Sequence, residues 1–172
     1  MGYHVSMPVT ELIPVEEYLS TDYSPDCDFV NGVLEDRNVG RKDHSILQMA
    51  LSAWLYARRK DLGIEVFPEQ RVQVSASRYR VPDICVTVGV PDEQIFTTPP
   101  FLCIEILSPD DQMRRVLVKI ADYLEFGVGC VWLIDPPKRT ATVYTAHEVL
   151  PVSGGILRTA TPDIAVPLAE LF

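Results

Sequence analysis

The sequence lacks the long apolar segments of a membrane or secreted protein. Its longest apolar run, around "VGCVWLI", is shorter than about ten residues, whereas a helix that spans a bilayer needs about 20. The first ten residues, "MGYHVSMPVT", contain neither a basic region nor an apolar core, and so they do not predict a secretory signal. We therefore expect no association with a membrane.

The sequence also lacks paired cysteines. Its four cysteines, Cys27, Cys85, Cys103 and Cys130, are scattered and form no C-x-x-C motif. Three of them lie in apolar, strand-like runs, where a free cysteine usually packs as a small hydrophobic residue. This pattern disfavours a zinc site or a disulfide framework and predicts a protein of the reducing cytoplasm.

An excess of basic residues is missing as well. The chain has 24 acidic and 15 basic residues and a formal net charge of -9. Proteins that coat nucleic acid without specificity usually carry a basic patch or stripe, so this balance disfavours that class. It does not disfavour an enzyme with a divalent cation in an acidic cleft, because the cation reverses the local field.

The 172 residues predict a single domain, residues 1–172, without internal repeats or a linker. Alternating and near-continuous apolar runs predict strands, and apolar residues at helical spacing predict helices. The resulting fold class is α/β (α+β), with a mixed central sheet flanked by helices. The predicted elements are helices at 10–20, 43–63 and 109–126, a hairpin at 28–36, and strands at 64–74, 83–88, 101–107, 130–135 and 140–145.

Polar residues suggest where the helices begin and end. Thr10 is a candidate cap for the first helix, and Asp43 for the second, which Gly63 would end. In the third helix, Ser108 is a candidate cap, and Asp111 would complete a capping box with it.

Two acidic residues stand at strands that are otherwise apolar. Asp83 follows Pro82 at the mouth of one strand, and Glu105 interrupts the next, "FLCIEIL". A lone buried carboxylate costs several kcal/mol unless it is paired or bound to a metal. Either acid alone is compatible with a strand-edge residue. A connection of 12 residues, "GVPDEQIFTTPP", allows the two strands to be neighbours, and the carboxylates would then lie close together with a cation between them. Oxygen ligands without a His or Cys pattern favour Mg²⁺ or Mn²⁺ over zinc.

Three further residues are ambiguous from spacing alone. Lys119 borders the apolar face of its helix, so its ammonium would either turn toward the sheet or extend along the surface into water. His44, near the start of the second helix, is either a packed core histidine or a neighbour of the site. Another Pro-Asp pair ends at Asp163, but no acid and lysine follow it, and we interpret it as a turn.

Several motifs together resemble those of a known family. "RVPDICV", "FLCIEILSP", a lysine eleven residues after that serine, "YLEFGV" and "CVWLIDP" occur in this order. As a group they resemble the Uma-two family of restriction-endonuclease-like proteins, which belongs to the PD-(D/E)XK nuclease superfamily. The resemblance extends over nearly the whole chain and implies a restriction-endonuclease-like core.

The resemblance also implies roles for individual residues. Asp83 and Glu105 would bind Mg²⁺ or Mn²⁺, helped by the backbone carbonyl of Ile106. The wider superfamily has its lysine two residues after the glutamate, where this chain has Leu107. In the family that this chain resembles, the lysine lies on the following helix instead. The resemblance therefore implies that Lys119 is the catalytic lysine.

Two ancillary positions depart from or extend this pattern. Family members often carry Tyr-Glu before the hairpin, where this chain has Cys27-Asp28, so Asp28 would be a shortened ancillary acid. His44 lies where the family often has a histidine at a helix start, and it is the second ancillary candidate.

The function that the resemblance implies is hydrolysis of DNA phosphodiester bonds by a metal-dependent endonuclease, which would act as a homodimer. Two alternatives remain open at this point. A catalytically silent member of the fold would bind nucleic acid or a protein without cutting. A glycosidase would use the two carboxylates without a metal, although the surrounding sequence is not rich in the aromatic residues typical of a sugar site.

Overall fold

A six-stranded mixed sheet forms the centre of the computed structural model, which describes residues 12–37 and 41–172. The helices are α1 (Val15–Ser20), α2 (Lys42–Leu62) and α3 (Met113–Phe126). The strands are β1 (Asp28–Val30), β2 (Val33–Glu35), β3 (Ile64–Pro68), β4 (Val72–Ser75), β5 (Arg78–Arg80), β6 (Ile84–Val88), β7 (Leu102–Ile106), β8 (Cys130–Asp135), β9 (Thr140–Tyr144), β10 (Val149–Ser153), β11 (Ile156–Arg158) and β12 (Ala165–Pro167).

The strands are arranged in three sheets. The central sheet has the order β10-β9-β8-β7-β6-β3, and β7 and β8 are its parallel pair, joined by α3. An antiparallel sheet of order β2-β1-β5-β4 and a β11-β12 pair complete the strands. The predicted class, a mixed sheet with helices in an α+β arrangement, is therefore confirmed.

The two faces of the central sheet are covered by different helices. Side chains alternate along a strand, so even-numbered residues such as Ile84 and Ile104 pack in one cluster with the leucines of α2. Odd-numbered residues such as Cys85 and Cys103 pack in a second cluster with Ile120 of α3. This explains why β7 and β8 read as near-continuous apolar runs.

Two turn predictions are confirmed. In the β1–β2 hairpin, Asn31 and Gly32 have φ values of 50° and 88°, as a type I′ turn requires. Gly63 ends α2 in the left-handed conformation, with φ 65°.

The predicted helix starts are less accurate. Thr10 lies outside the described residues. Arg41 precedes α2 without a side-chain cap, so the predicted cap at Asp43 is wrong, and that acid lies inside the first turn. Before α3 the Asp111 carboxylate does accept a hydrogen bond from the Ser108 amide, at 2.6 Å. The chain makes a turn there, however, and the helix begins only at Met113.

The predicted strand at 64–74 is two strands, β3 and β4, which belong to different sheets. The short strand β5 and the three strands after residue 148 were not predicted. Within the part of the chain that the structure describes, no helix is long and apolar enough to cross a membrane.

Candidate active site

The ends of two neighbouring strands bring the two predicted acids together. β6 and β7 are antiparallel, with Ile84 opposite Ile104. Asp83 directly precedes β6 and Glu105 belongs to β7, so both acids lie at the same end of this strand pair. Both acids are buried.

Asp83 is surrounded by hydrogen-bond donors. Its Oδ1 accepts a bond from Nη2 of Arg37 at 2.9 Å, and its Oδ2 accepts one from the backbone amide of Ile106 at 2.7 Å. Nε2 of His44 lies 3.2 Å from Oδ2. Gln48 donates to the Asp83 backbone carbonyl at 3.0 Å, which holds the residue against α2. Asp83 is therefore fixed by side chain and backbone alike.

Glu105 is bound to two residues of α3. Nζ of Lys119 lies 3.0 Å from each carboxylate oxygen, and the hydroxyl of Tyr123 donates to Oε1 at 2.8 Å. The same ammonium donates to the backbone carbonyl of Val81 at 2.9 Å. Lys119 therefore points inward to the sheet, with only 11% of its side chain exposed.

The two acids differ in how well their charge is compensated. The pKa of Glu105 is raised to about 7, chiefly by burial and also by the charges of Asp83 and Asp28, against the opposing charge of Lys119. Burial also opposes ionisation of Asp83, but the bond and charge of His44, with the charges of Lys119 and Arg37, outweigh it and lower the pKa of this carboxyl. Asp83 is thus ionised at neutral pH, whereas Glu105 exchanges between its protonated and ionised forms near pH 7.

The surroundings of Lys119 and His44 favour the charged form of each side chain. Burial lowers the pKa of Lys119, but the charges of Asp28 and Glu105 outweigh it, so the pKa is raised. For His44, burial is likewise outweighed by the bond to Asp83 and its charge, and the pKa is raised. Lys119 is an ammonium at neutral pH.

A buried arginine organises the side of the site formed by the smaller sheet. Arg80 donates from Nε to Asp122 at 2.8 Å, and from Nη1 to Asp28 at 3.1 Å and Glu35 at 2.8 Å. Asp28 also accepts the backbone amide of Val81 at 2.8 Å. Because Asp28 lies 3.6 Å from the Lys119 ammonium, this network supports the lysine from behind.

The acids and their partners line one open pocket of about 310 Å³. Its chemistry fits a hard cation, because Asp83 and Glu105 supply carboxylate oxygens to the same pocket. Among the described residues, no group of three or more His, Cys, Asp or Glu side chains is arranged to hold a metal. Two carboxylates completed by water and substrate suit Mg²⁺ better than a metal that needs an all-protein cage.

All five predicted side chains thus lie in or beside this pocket: Asp28, His44, Asp83, Glu105 and Lys119. For Ile106 the structure assigns the backbone amide to Asp83, and the role of its carbonyl stays a prediction. Sequence reasoning did not single out four further residues, Arg37, Arg80, Asp122 and Tyr123. Asp122 and Tyr123 carried a signal, since they follow Lys119 by three and four positions and share its helix face.

Comparison with known proteins agrees with this geometry. The family model Uma2, described as "Putative restriction endonuclease", matches residues 15–166. Among solved structures, the crystal structure of a protein from Anabaena variabilis ATCC 29413, described as a "putative nuclease belonging to DUF820", is similar with a TM-score of 0.82. The two are 26% identical, and the match covers 93% of this chain and 97% of that one. No curated protein matches the chain.

Proposed function

The chain belongs to the Uma2 family, and from this membership we propose that it is a metal-dependent endonuclease that hydrolyses DNA phosphodiester bonds. The observation that carries the proposal is the pairing of Asp83 and Glu105 across neighbouring strands, with the Lys119 ammonium bound to one of them. A pair of carboxylates and a lysine in one open pocket is what phosphodiester hydrolysis needs: a cation site and a fixed positive charge for the reacting phosphate.

In this proposal Asp83, Glu105 and the Ile106 carbonyl hold Mg²⁺ or Mn²⁺. When bound, the cation would supply a Lewis acid for the phosphate and make a coordinated water more acidic. Asp83 is suited to the task because its lowered pKa keeps it ionised. Glu105 becomes a full ligand once its proton leaves, near pH 7.

Lys119 acts as a charge and not as a base. Its raised pKa keeps it protonated, so it cannot accept a proton from the attacking water. Its bonds to Glu105 and the Val81 carbonyl aim the ammonium into the pocket. From there it orients the water and stabilises the negative charge that develops on the phosphate, without reorganising during the reaction.

One observation favours the second candidate, a member of the fold that binds nucleic acid or protein without cutting. Asp83 is already paired with Arg37, and Glu105 with Lys119, so the site is largely neutralised by its own side chains. If this arrangement persists in the presence of cations, no metal-dependent chemistry follows.

We further propose that the substrate is DNA and that the protein is cytoplasmic. We also propose that it forms a homodimer, which sedimentation at twice the mass of one chain would establish.

The deciding experiment is plasmid cleavage. Purified protein is incubated with supercoiled plasmid across a titration of Mn²⁺ and Mg²⁺, with a chelator as the blank. Cleavage that requires the cation and falls at least about a hundredfold in Asp83→Asn, the scale lost when metal-site partners are altered, supports the nuclease.

Asp163→Asn is the matched control. It changes another Pro-Asp pair of the chain, whose carboxylate is 73% exposed and pairs at the surface with Arg158. This variant should cut like the parent. If the parent leaves the plasmid intact with every cation but still binds DNA, the non-catalytic candidate replaces the nuclease.

A further inference from the structure

Arg37 is a buried cation of the pocket and has no role in the hydrolysis proposed above. It follows β2, and its side chain is only 6% exposed. Nη2 donates to Asp83 at 2.9 Å. The other terminal nitrogen, Nη1, is buried and has no hydrogen-bond partner among the described residues. A buried donor without an acceptor costs free energy, and a ligand that supplies the acceptor would recover it.

The other buried cations of the pocket are fully occupied. Arg80 uses Nε and both terminal nitrogens on carboxylates of Asp28, Glu35 and Asp122. Lys119 is bound to Glu105 and a backbone carbonyl. Of these three cations in the described pocket, Arg37 alone has a buried donor to spare.

The geometry of a guanidinium indicates what the missing acceptor is. Its donors form a planar fork that matches the oxygens of a phosphate, with two parallel bonds. A phosphate cannot approach Asp83 and Glu105 closely while both are anionic and without a cation. The acceptor for Arg37 is therefore expected to arrive together with the cation.

Asp83 links the two events. Its Oδ1 accepts the hydrogen bond from Arg37, and the same carboxylate is a candidate ligand for the cation because its lowered pKa keeps it ionised. Two positive charges on one carboxylate repel each other, so a cation that binds Asp83 weakens its hold on the arginine. A guanidinium released in this way would have both terminal nitrogens available beside the cation.

We propose that Arg37 is the phosphate-binding arginine of this site, held on Asp83 until a divalent cation takes its place and then transferred to the DNA phosphate. This inference rests on the proposed function, which supplies both the divalent cation and the DNA substrate. It makes Arg37 a competitor of the cation before substrate binds and a ligand of the substrate afterwards.

Two binding measurements test the exchange without relying on cleavage. Calorimetry gives the affinity for Mn²⁺ in the absence of DNA. Fluorescence anisotropy of a labelled duplex, with Ca²⁺ as the cation, gives the affinity for DNA. Arg37→Met should bind Mn²⁺ more tightly and DNA more weakly than the parent, each by about tenfold or more, the lower end of what altered metal-site partners change.

Arg115→Met is the matched control. Arg115 lines the same pocket and is 57% exposed, and its ion pair is with Glu35, at 3.9 Å, and not with Asp83. Removing its charge should change Mn²⁺ affinity by less than about threefold, because exposed charges are screened. Unchanged or weaker Mn²⁺ binding in Arg37→Met would overturn the inference, and so would a loss of DNA affinity no larger than in Arg115→Met.

Arg37→Lys keeps the test decisive if the methionine variant does not fold. Lysine keeps the charge but has no fork, so Mn²⁺ affinity should stay near that of the parent while DNA affinity falls. Equal DNA affinity in this variant contradicts the inference.

Failure of the proposed function would look different. A parent that shows both binding shifts in its variants but leaves plasmid intact refutes the nuclease and leaves the exchange standing. A parent that cuts plasmid, with neither shift in its Arg37 variants, refutes only the exchange.

Discussion

Replacing Glu105 with glutamine is expected to stabilise the cation-free protein at pH 8. The carboxylate of Glu105 is buried near Asp83 and Asp28, and its pKa is raised from 4.5 to about 7 despite the bond to Lys119. The folded protein therefore binds this proton more tightly than the unfolded chain does. A glutamine has nearly the same shape and never acquires the charge, and the Lys119 ammonium keeps Asp28 as an anion at 3.6 Å.

The magnitude follows from the two pKa values. The difference between about 7 and 4.5 corresponds to about 3 kcal/mol, at roughly 1.4 kcal/mol for each pKa unit. Below pH 4.5 the carboxyl is protonated in both states and the substitution has no effect. Between pH 4.5 and 7 the unfolded chain loses its proton first, so the stability of the parent falls with rising pH. Above pH 7 the whole difference separates the parent from Glu105→Gln.

Asp83→Asn should have the opposite effect. Burial raises the pKa of Asp83, but His44, Lys119 and Arg37 lower it overall, so its charge is stabilised by its surroundings. Removing one partner of a buried ion pair costs about 3–5 kcal/mol, and the asparagine leaves Arg37 without its anion. Repulsion between two close acids would by itself predict that this variant is at least as stable as the parent. The structure places the uncompensated charge on Glu105 instead.

Thermal melts followed by circular dichroism, from pH 4.5 to 8.5 with chelator present, measure both effects. For a chain of this size, about 3 kcal/mol shifts Tm by roughly 6–12 °C. At pH 8, Glu105→Gln should melt above the parent and Asp83→Asn below it, with Asp163→Asn as the neutral control. A Glu105→Gln protein that melts below the parent at pH 8, or with the same pH dependence, would refute the argument.

Three further predictions concern the surroundings of the site. Lys119→Met should reduce Mn²⁺-dependent plasmid cleavage by about a hundredfold or more, the scale lost when a charge-stabilising donor is removed, and cleavage at the parent rate would exclude a role for the ammonium. Asp122→Asn should destabilise the fold by about 3–5 kcal/mol in urea unfolding, because Arg80, 3% exposed, loses a buried anion; a change below about 1 kcal/mol would show that Asp28 and Glu35 suffice. The four cysteines should be free thiols that react with a thiol reagent only after unfolding, because all are buried. Burial raises the pKa of each thiol, to about 11 for Cys27 and Cys130. A disulfide detected in the mass of the non-reduced protein would contradict this prediction.

The sequence alone determined the elements that local patterns encode. Apolar runs placed Asp83 and Glu105 at two strands, and the 12-residue connection allowed these strands to be neighbours. The Asn31-Gly32 pair and Gly63 predicted a hairpin turn and a helix end, because only a few residues tolerate a positive φ. Local signals were weaker at helix starts. A polar side chain can bond a nearby amide in a turn as well as in a helix, which is how the Ser108–Asp111 contact came to precede α3.

Only the tertiary structure decided the electrostatics of the site. Spacing allowed Lys119 to face water or the sheet, and buried carboxylates from two other segments made the inward position favourable. Arg37 and Arg80 join the site from loops and strands 46 and 42 residues away from their partners Asp83 and Asp122, and no periodic pattern connects such positions. A pKa depends on every charge within a few ångströms and on the loss of water around it. Two acids that look equivalent in the sequence therefore become one firm carboxylate and one that holds its proton to about pH 7.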